Sequence, residues 1–155
     1  MDPNRLWTSS LRDSPRGAAI TRIMAAALAA VDPAAAVARF LRRDGHTLSA
    51  GERRLDLRRI ERVFVVGAGK AGAPMAAATA DILGPHLTAG LVVVKDGYLG
   101  AAGEQLHQSQ LRLVEAGHPV PDQRGADAAG RITELLADLT PRDLVIALIS
   151  GGGSA

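Results

Sequence analysis

Cysteine is absent from the 155 residues of this chain. Disulfide bonds and thiolate metal sites are therefore excluded. Aromatic residues make up only 3% of the sequence, so the hydrophobic core has to consist mainly of leucine, valine, isoleucine and alanine. The chain also lacks the combination of basic residues and stacking aromatic side chains that single-stranded nucleic acids bind. We therefore expect no nucleic-acid partner.

Lysine is nearly absent, although the chain is slightly basic. The net charge is +2, and only Lys70 and Lys95 of the 18 basic residues are lysines. Apolar residues make up 47% of the sequence and charged residues 22%, which is ordinary for a globular protein. A chain of this length is sufficient for one domain with a substantial core.

No apolar run is long enough to predict a membrane span or a signal peptide. Residues 1–5 are polar, and the alanine-rich segment that follows is interrupted by Asp32-Pro33. We therefore expect no membrane partner and a cytoplasmic location. Residues 1–15 are expected to be disordered or loosely ordered.

Two helices are predicted before the first strand of a sheet. Apolar residues recur at helical spacing over residues 16–31. Asp32-Pro33 is typical of an N-cap and the first residue of a second helix, which ends where a loop over residues 44–60 is predicted, with a short strand near 55–57. The residues expected on the buried faces of the two helices are Ile20, Ile23, Met24, Ala27, Leu28 and Val31, then Val37, Phe40 and Leu41.

Helices then alternate with nearly continuous apolar strands, which is the pattern of an α/β domain with a mostly parallel sheet. We predict a Rossmann-like layered α/β fold, preceded by the two N-terminal helices. The predicted strands are 62–66, 90–95, 111–115 and 143–150, with helices over 71–83 and from Pro121-Asp122 to 139, and a polar loop over 98–110. The last helix is expected to bury Ala129, Ile132, Leu136 and Leu139.

The first candidate site is the glycine loop 67–72, Gly-Ala-Gly-Lys-Ala-Gly, between a strand and a helix. Such a loop directs free backbone N–H groups at one point and suits an anion. Lys70 adds a positive charge there, although a lysine in the first turn of a helix can also simply point into water. A bound anion would remove the unfavourable interaction between this cation and the helix dipole.

The glycine loop matches the dinucleotide fingerprint G-x-G-x-x-G but not the Walker A motif, because Ala73-Pro74 follows Gly72. A dinucleotide site would also place an acid at the end of the second strand, where Asp96 stands. Asp96-Gly97 is equally typical of a turn. Both interpretations of Asp96 remain open at this point.

Two further segments follow strand ends. Residues 150–154, Ser-Gly-Gly-Gly-Ser, supply glycine N–H groups and hydroxyls suited to phosphate. His118 follows the third strand and could bond a phosphate or a hydroxyl group. Asp122 is favoured as a helix N-cap over a metal ligand or a base. In a parallel sheet all these loops lie on one edge, so the sequence predicts a single anion-binding cleft.

Three motifs in this order resemble the glycerate 2-kinase family: Gly67-Ala68-Gly69-Lys70-Ala71, Gly117-His118-Pro119-Val120-Pro121-Asp122 and Ser150-Gly151-Gly152-Gly153-Ser154-Ala155. The segment Val93-Val94-Lys95-Asp96-Gly97 is also similar. Proteins of this family are sometimes named hydroxypyruvate reductases. The resemblance extends from about residue 16 to the last residue, except that Gln123 stands where relatives often carry an acid.

The resemblance implies ATP-dependent phosphorylation of D-glycerate to 2-phosphoglycerate, with Mg²⁺. It makes Lys70 the active-site lysine. From their positions in the loops, Gly67, Gly69 and His118 are the candidate substrate or phosphate contacts. The resemblance also implies that residues 16–155 are part of an N-terminal domain, that a C-terminal domain supplies an arginine, and that the chain alone is inactive. The resemblance makes the following residues nucleotide contacts: Ser150, Gly151, Gly152, Gly153 and Ser154.

Two other functions are compatible with the same residues. An NAD(P)-dependent hydroxypyruvate reductase would use the first glycine loop and Asp96. A non-catalytic module could bind an anion or a sugar phosphate with the same loops. Metal ligands and oligomeric state are not predicted by the sequence.

Overall fold

The structure is a computed structural model that describes residues 2–151. These residues form six helices and seven strands, together with three short 3₁₀ turns. The helices are α1 (Ser9–Arg12), α2 (Gly17–Ala30), α3 (Pro33–Phe40), α4 (Gly72–Leu83), α5 (Gly100–Gln105) and α6 (Gln123–Leu135). The strands are β1 (Leu41–Asp44), β2 (Thr47–Ala50), β3 (Arg53–Asp56), β4 (Arg62–Ala68), β5 (Leu87–Lys95), β6 (Leu111–Ala116) and β7 (Asp143–Ile149).

The main sheet has four parallel strands in the order β6-β5-β4-β7. The α/β fold with a parallel sheet, predicted from the apolar strands, is therefore confirmed. The central strand β4 is completely enclosed around Val65, which is 0% exposed, because it pairs on both sides. Its neighbours β5 and β7 extend in the same direction, so the loops that follow all four strands lie on one edge.

Helices cover the two faces of this sheet unequally. Helix α4 packs on β4, β5 and β7, over a core that includes Val65, Val92 and Leu148. Helix α6 contacts β5 and β6 near Ala116. Ala116 pairs with Lys95, so these two side chains lie on the same face of the sheet. The residue before Lys95, Val94, belongs to the core, and side chains alternate between the faces of a strand. Helix α6 therefore lies on the face opposite α4.

A three-stranded antiparallel sheet, β1-β2-β3, replaces most of the loop predicted over residues 44–60. That prediction was wrong because each strand has only four residues and the strands bury few apolar side chains, with Leu41 and Leu48 the most enclosed. Arginine and polar residues occupy most other positions. Gly45 and Gly51 close the two turns with positive φ angles of 54° and 59°.

The predicted buried face of α2 was wrong. Helix α2 packs on α1 and on the 3₁₀ turn Pro3–Leu6 rather than on the sheet. Its close contacts therefore use small residues: Gly17, Thr21 and Ala25 are buried, and the Thr21 hydroxyl donates to the Gly17 carbonyl at 2.8 Å. All the residues predicted on the buried face of this helix are exposed: Ile20, Ile23, Met24, Ala27, Leu28 and Val31.

Some of the other local predictions are confirmed and others are wrong. Asp32 and Asp122 are N-caps, as predicted, and accept hydrogen bonds from the backbone N–H groups of Ala35 and Gly125. Phe40, expected to be buried, is 65% exposed. Helix α6 ends at Leu135 rather than at 139 as predicted, so Leu136 is its C-cap and Leu139 lies beyond it. Ile132 and Leu136 are only half-buried, while Ala129 and Leu139 are exposed. The predicted loop 98–110 contains the short helix α5.

The N-terminal segment carries two short helical elements without buried side chains, at Pro3–Leu6 and Ser9–Arg12. The expectation that residues 1–15 are loosely ordered stays a prediction. Within residues 2–151, no single helix has the length and apolar character to cross a membrane. Helices α2 and α3 meet these criteria only as a pair, and a bend of 47° separates them.

A partly buried ion pair joins the amino ends of β4 and β7; the Arg62 side chain is 37% exposed. The Arg62 guanidinium donates to both carboxylate oxygens of Asp143 at 2.9 and 2.6 Å, and the Thr140 N–H donates to the same carboxylate. The Asp143 side chain is only 1% exposed. Hydrogen bonds from Arg62 and Thr140 hold the pKa of Asp143 well below its usual range.

We expect this ion pair to make the stability of the chain depend on pH. A lowered carboxylate pKa contributes stability that is complete above the unfolded pKa of about 4 and is lost as the pH falls towards the folded value. Asp143→Asn should therefore lower the unfolding midpoint by several degrees at pH 7 and by a smaller amount at pH 3, which lies between the unfolded and folded pKa values, where part of the contribution remains. Thermal unfolding at both values measures this difference.

The control is Asp56→Asn in the more exposed Asp56–Arg58 pair, for which a small change is expected. An equal loss for Asp143→Asn at both pH values would contradict the prediction.

Candidate functional site

The candidate site lies at the carboxyl edge of the main sheet. The loops after β4 and β7 are neighbours there, because these strands pair in register up to Ala68 and Ile149. After β4 the chain continues to β5 on one side of that strand, whereas β7 pairs with β4 on the other side. The strand order therefore reverses between β4 and β7, and open α/β sheets bind their ligands at such a point.

The two glycine loops predicted to lie on one edge are in direct contact. The Ser150 N–H donates to the Ala68 carbonyl at 3.3 Å, and the Ala71 N–H donates to the Ser150 hydroxyl oxygen at 3.4 Å. Gly69 has a φ of 121°, and a Cβ added to it would lie 2.0 Å from the same hydroxyl oxygen. Glycine is required at position 69 both by this backbone conformation and by the approach of Ser150.

Gly67 allows the strands β4 and β7 to pack closely and does not shape the loop. It belongs to β4, and a Cβ at this position would lie 2.3 Å from the Leu148 carbonyl oxygen of β7. It does not line the cavity described below. Gly72 begins α4, where a Cβ would lie 2.8 Å from the nearest methyl carbon of Val92. A ligand contact by Gly67 stays a prediction, and the structure gives this residue a packing role.

The expected array of free backbone N–H groups is not present in the first glycine loop. The Gly69 N–H donates to the Val93 carbonyl at 3.0 Å, and the Gly72 N–H donates to Gly69 at 2.9 Å. The Ala71 N–H is taken by Ser150. The sequence pattern missed this because two of the acceptors, Val93 of β5 and Ser150 after β7, are distant along the chain. Lys70 supplies the charge of this loop, and its contact with an anion stays a prediction.

A cavity of about 270 Å³ opens beside these loops. Ala68, Val93 and Ile149 contribute apolar walls, while the cationic and titratable side chains lining it are Lys70, Lys95 and His118. No carboxylate lines this cavity among the residues that the structure describes. An apolar wall with convergent cationic groups suits a small organic anion.

Lys70 is exposed at the mouth of this cavity. Within residues 2–151 its ammonium group has no carboxylate within ion-pair distance. An unpaired cation in a concave site is available to a ligand, whereas a paired one would first have to release its partner. The position of Lys70 therefore agrees with the predicted anion contact.

His118 reaches the same cavity from the loop after β6. This loop is held by Asp122, whose carboxylate accepts the N–H groups of Gly117 and Gly125, both at 3.1 Å. The His118–Pro119 peptide bond is cis. Asp122 thus acts as a cap and loop brace, as the sequence favoured, and it positions His118 at the cavity.

Arg124 joins two acidic residues beside the cavity. It donates to both carboxylate oxygens of Asp96 at 2.8 and 2.7 Å, and to Asp122 at 2.9 and 2.6 Å. The hydrogen bonds from Arg124 are the largest cause of the lowered pKa of Asp122, and the two carboxylates raise the pKa of Arg124. Asp96 also belongs to the predicted turn, which the Tyr98 N–H closes on the Lys95 carbonyl.

Sequence reasoning missed two residues of this site, Lys95 and Arg124. The scarcity of lysine was a usable signal for Lys95, because both lysines of the chain line the same cavity. Arg124 is one of 16 arginines and carries no comparable signal.

Of the predicted nucleotide loop, the structure describes Ser150, which is buried, and Gly151, which lines the cavity. Gly152, Gly153 and Ser154 lie outside the described residues.

Comparisons with known proteins show the family to which this chain belongs. The model of the family "Domain of unknown function (DUF4147)" matches residues 19–155. A protein from Agrobacterium vitis named "Putative hydroxypyruvate reductase" is 40% identical over 137 residues, which are 88% of this chain and 26% of that protein. A protein from Pyrococcus horikoshii named "Glycerate 2-kinase" is 33% identical over 86% of this chain and 28% of that protein.

A solved crystal structure has a similar fold. A crystal structure of a Pyrococcus horikoshii protein superimposes with a TM-score of 0.73 at 33% sequence identity, over 86% of this chain and 28% of that one. The chain spans about a quarter of the length of the curated relatives it matches. The chain belongs to the DUF4147 family, and it corresponds to the N-terminal region of proteins named glycerate kinases.

Proposed function

We propose that the whole protein transfers the γ-phosphoryl group of ATP to the 2-hydroxyl of D-glycerate, giving 2-phosphoglycerate and ADP. The observation that carries this proposal is the shared cavity, in which Lys70 and His118 meet at the contact of the two glycine loops. Relatives of this chain are named glycerate kinase or glycerate 2-kinase. Phosphoryl transfer depends mainly on positioning and charge stabilisation, which such a cavity supplies.

The proposed roles follow from the chemistry of each group. The substrate hydroxyl oxygen forms a bond to the γ-phosphorus while the bond from that phosphorus to the ADP oxygen breaks. Lys70 would hold the glycerate carboxylate or the phosphoryl group in transfer. His118 is the candidate acceptor for the hydroxyl proton, and residues 150–154 would contact the phosphates of ATP.

Magnesium is part of the proposal through the nucleotide. Within residues 2–151 no three His, Asp or Glu side chains form a group that could hold a metal ion. Mg²⁺ in kinases commonly takes one or two carboxylates together with substrate phosphates; no carboxylate of residues 2–151 lines the cavity, so in this proposal the ion enters with ATP. When bound, Mg²⁺ would neutralise charge on the phosphates.

Two features favour phosphoryl transfer over reduction by NAD(P)H. The acid that would bind the ribose hydroxyl, Asp96, is engaged by Arg124 through two hydrogen bonds. Lys70 also stands within the glycine fingerprint, where a dinucleotide site uses backbone groups. A non-catalytic anion-binding module would use the same cavity, and it differs from the kinase only in the absence of turnover.

The test is a pair of assays on the purified whole protein. D-Glycerate with MgATP should release ADP, and ³¹P NMR should show 2-phosphoglycerate rather than 3-phosphoglycerate. Hydroxypyruvate with NADH or NADPH should show no loss of absorbance at the nicotinamide band. Reduction without ADP release would establish the reductase instead, and ligand binding without either reaction would establish the binding module.

A further inference from the structure

The two lysines of the chain line one cavity, although they are 25 positions apart in the sequence and arise from different strands. Lys70 follows β4, and Lys95 is the last residue of β5. The 16 arginines lie elsewhere in the chain, and no arginine of the described residues lines this cavity. Lysine is therefore concentrated where a compact, strongly hydrated ammonium group can bind an anion.

Lys95 is held in place but is not neutralised. Its ammonium group lies 5.2 Å from the centre of the Tyr98 ring, which is a cation–π distance. The residue is half-buried. Within residues 2–151 no carboxylate lies within ion-pair distance of it. A partly buried cation without a counter-ion is a site at which a ligand anion is favourable.

Arg124 binds the nearby acidic side chains, which keeps them from occupying the anion position beside Lys95. Asp96 is the next residue after Lys95, and Asp122 braces the loop that carries His118. Arg124 binds both carboxylates through four contacts of 2.9 Å or less. Their negative charges are thereby partly offset and held on the side of α6, while Lys70 and Lys95 give the cavity wall its positive charge.

We propose that Lys95 is a second ligand-contacting cation of the cavity, and that the cavity takes a small molecule with two anionic groups, of the class of phosphorylated hydroxy acids. Neighbouring strands are about 4.8 Å apart, so cations at the ends of β4 and β5 are close enough to bind two anionic groups of one small molecule. In terms of the proposed function, on which this inference rests, that molecule is the product 2-phosphoglycerate, and Lys95 discriminates it from glycerate.

The test is calorimetric titration of the protein with 2-phosphoglycerate and, separately, with D-glycerate. Lys95→Met keeps most of the aliphatic stem and removes the charge. We expect it to weaken 2-phosphoglycerate binding at least about 10-fold, the scale of one charge-assisted contact, and D-glycerate binding less than about 3-fold. Lys95→Arg, which keeps the charge, should recover most of the affinity for 2-phosphoglycerate.

The control is Arg131→Ala, which removes one positive charge from the exposed surface of α6, away from the cavity. It should leave both affinities within about twofold. Unchanged binding of 2-phosphoglycerate by Lys95→Met, equal losses for both ligands, or no binding of either ligand by the wild-type protein would each overturn the inference. Because the readout is binding, absence of kinase turnover would reject the proposed function without deciding this one.

Discussion

Lys70→Ala in the whole protein should lower the turnover of D-glycerate and MgATP at least about 100-fold, the scale of losing one preorganised charge contact at a reacting group. The reason is that Lys70 lines the cavity and has no competing carboxylate within residues 2–151. Its charge is therefore available in full to the substrate or the phosphoryl group. Initial rates of ADP release at saturating substrates measure the effect.

The loss should arise from catalysis rather than from unfolding. Lys70 is exposed, so the unfolding midpoint of Lys70→Ala should stay within a degree or two of the wild type. Arg131→Ala, with the same change of charge on the far part of α6, should keep normal turnover. Near-normal turnover in Lys70→Ala would return Lys70 to the role of a solvated surface residue and would remove the main support for the proposed site.

Gly67→Ala should destabilise the chain by about 3 kcal/mol, at the upper end of typical overpacking costs. The added Cβ would lie 2.3 Å from the Leu148 carbonyl oxygen and 2.9 Å from the Leu148 Cβ. Both atoms belong to the neighbouring strand β7, which cannot retreat without breaking its pairing with β4. Urea unfolding at pH 7 measures the change.

Gly130→Ala is the matched control for this substitution. Gly130 lies inside α6, and a Cβ there would meet nothing within 4 Å. Alanine is favoured over glycine within a helix by up to about 1 kcal/mol, so this variant should be more stable than the wild type. The same chemical change should thus have opposite signs at the two positions. Equal effects, or tolerance of Gly67→Ala, would contradict the close approach of β4 and β7.

The elements that sequence reasoning predicted well are those whose signal is local. The strands of the main sheet are runs of valine, leucine and isoleucine bounded by turn residues, and all four were predicted within three residues of their bounds. The caps Asp32 and Asp122 were also predicted, because an N-cap bonds within three residues along the chain. Such features need no knowledge of tertiary contacts.

Predictions failed where contacts between elements, rather than the pattern within one element, decide the outcome. The apolar residues of α2 have helical spacing, but the helix packs through Gly17, Thr21 and Ala25 on the segment before it. The antiparallel sheet β1-β2-β3 is stabilised by pairing between strands that are individually too short and too polar to be recognised. In each case the energy comes from contacts that periodicity does not encode.

The sequence by itself determined that this chain forms an α/β sheet with two glycine loops and His118 at one edge, because strand runs, turns and loop order are local properties. Tertiary structure alone decided that the Gly69, Ala71 and Gly72 N–H groups of the first loop are already bonded and that Lys95 shares the cavity of Lys70. It also decided that Arg124 bonds to both Asp96 and Asp122. These facts depend on which strands are neighbours in the sheet, and that order is fixed by packing of the whole domain rather than by any single segment.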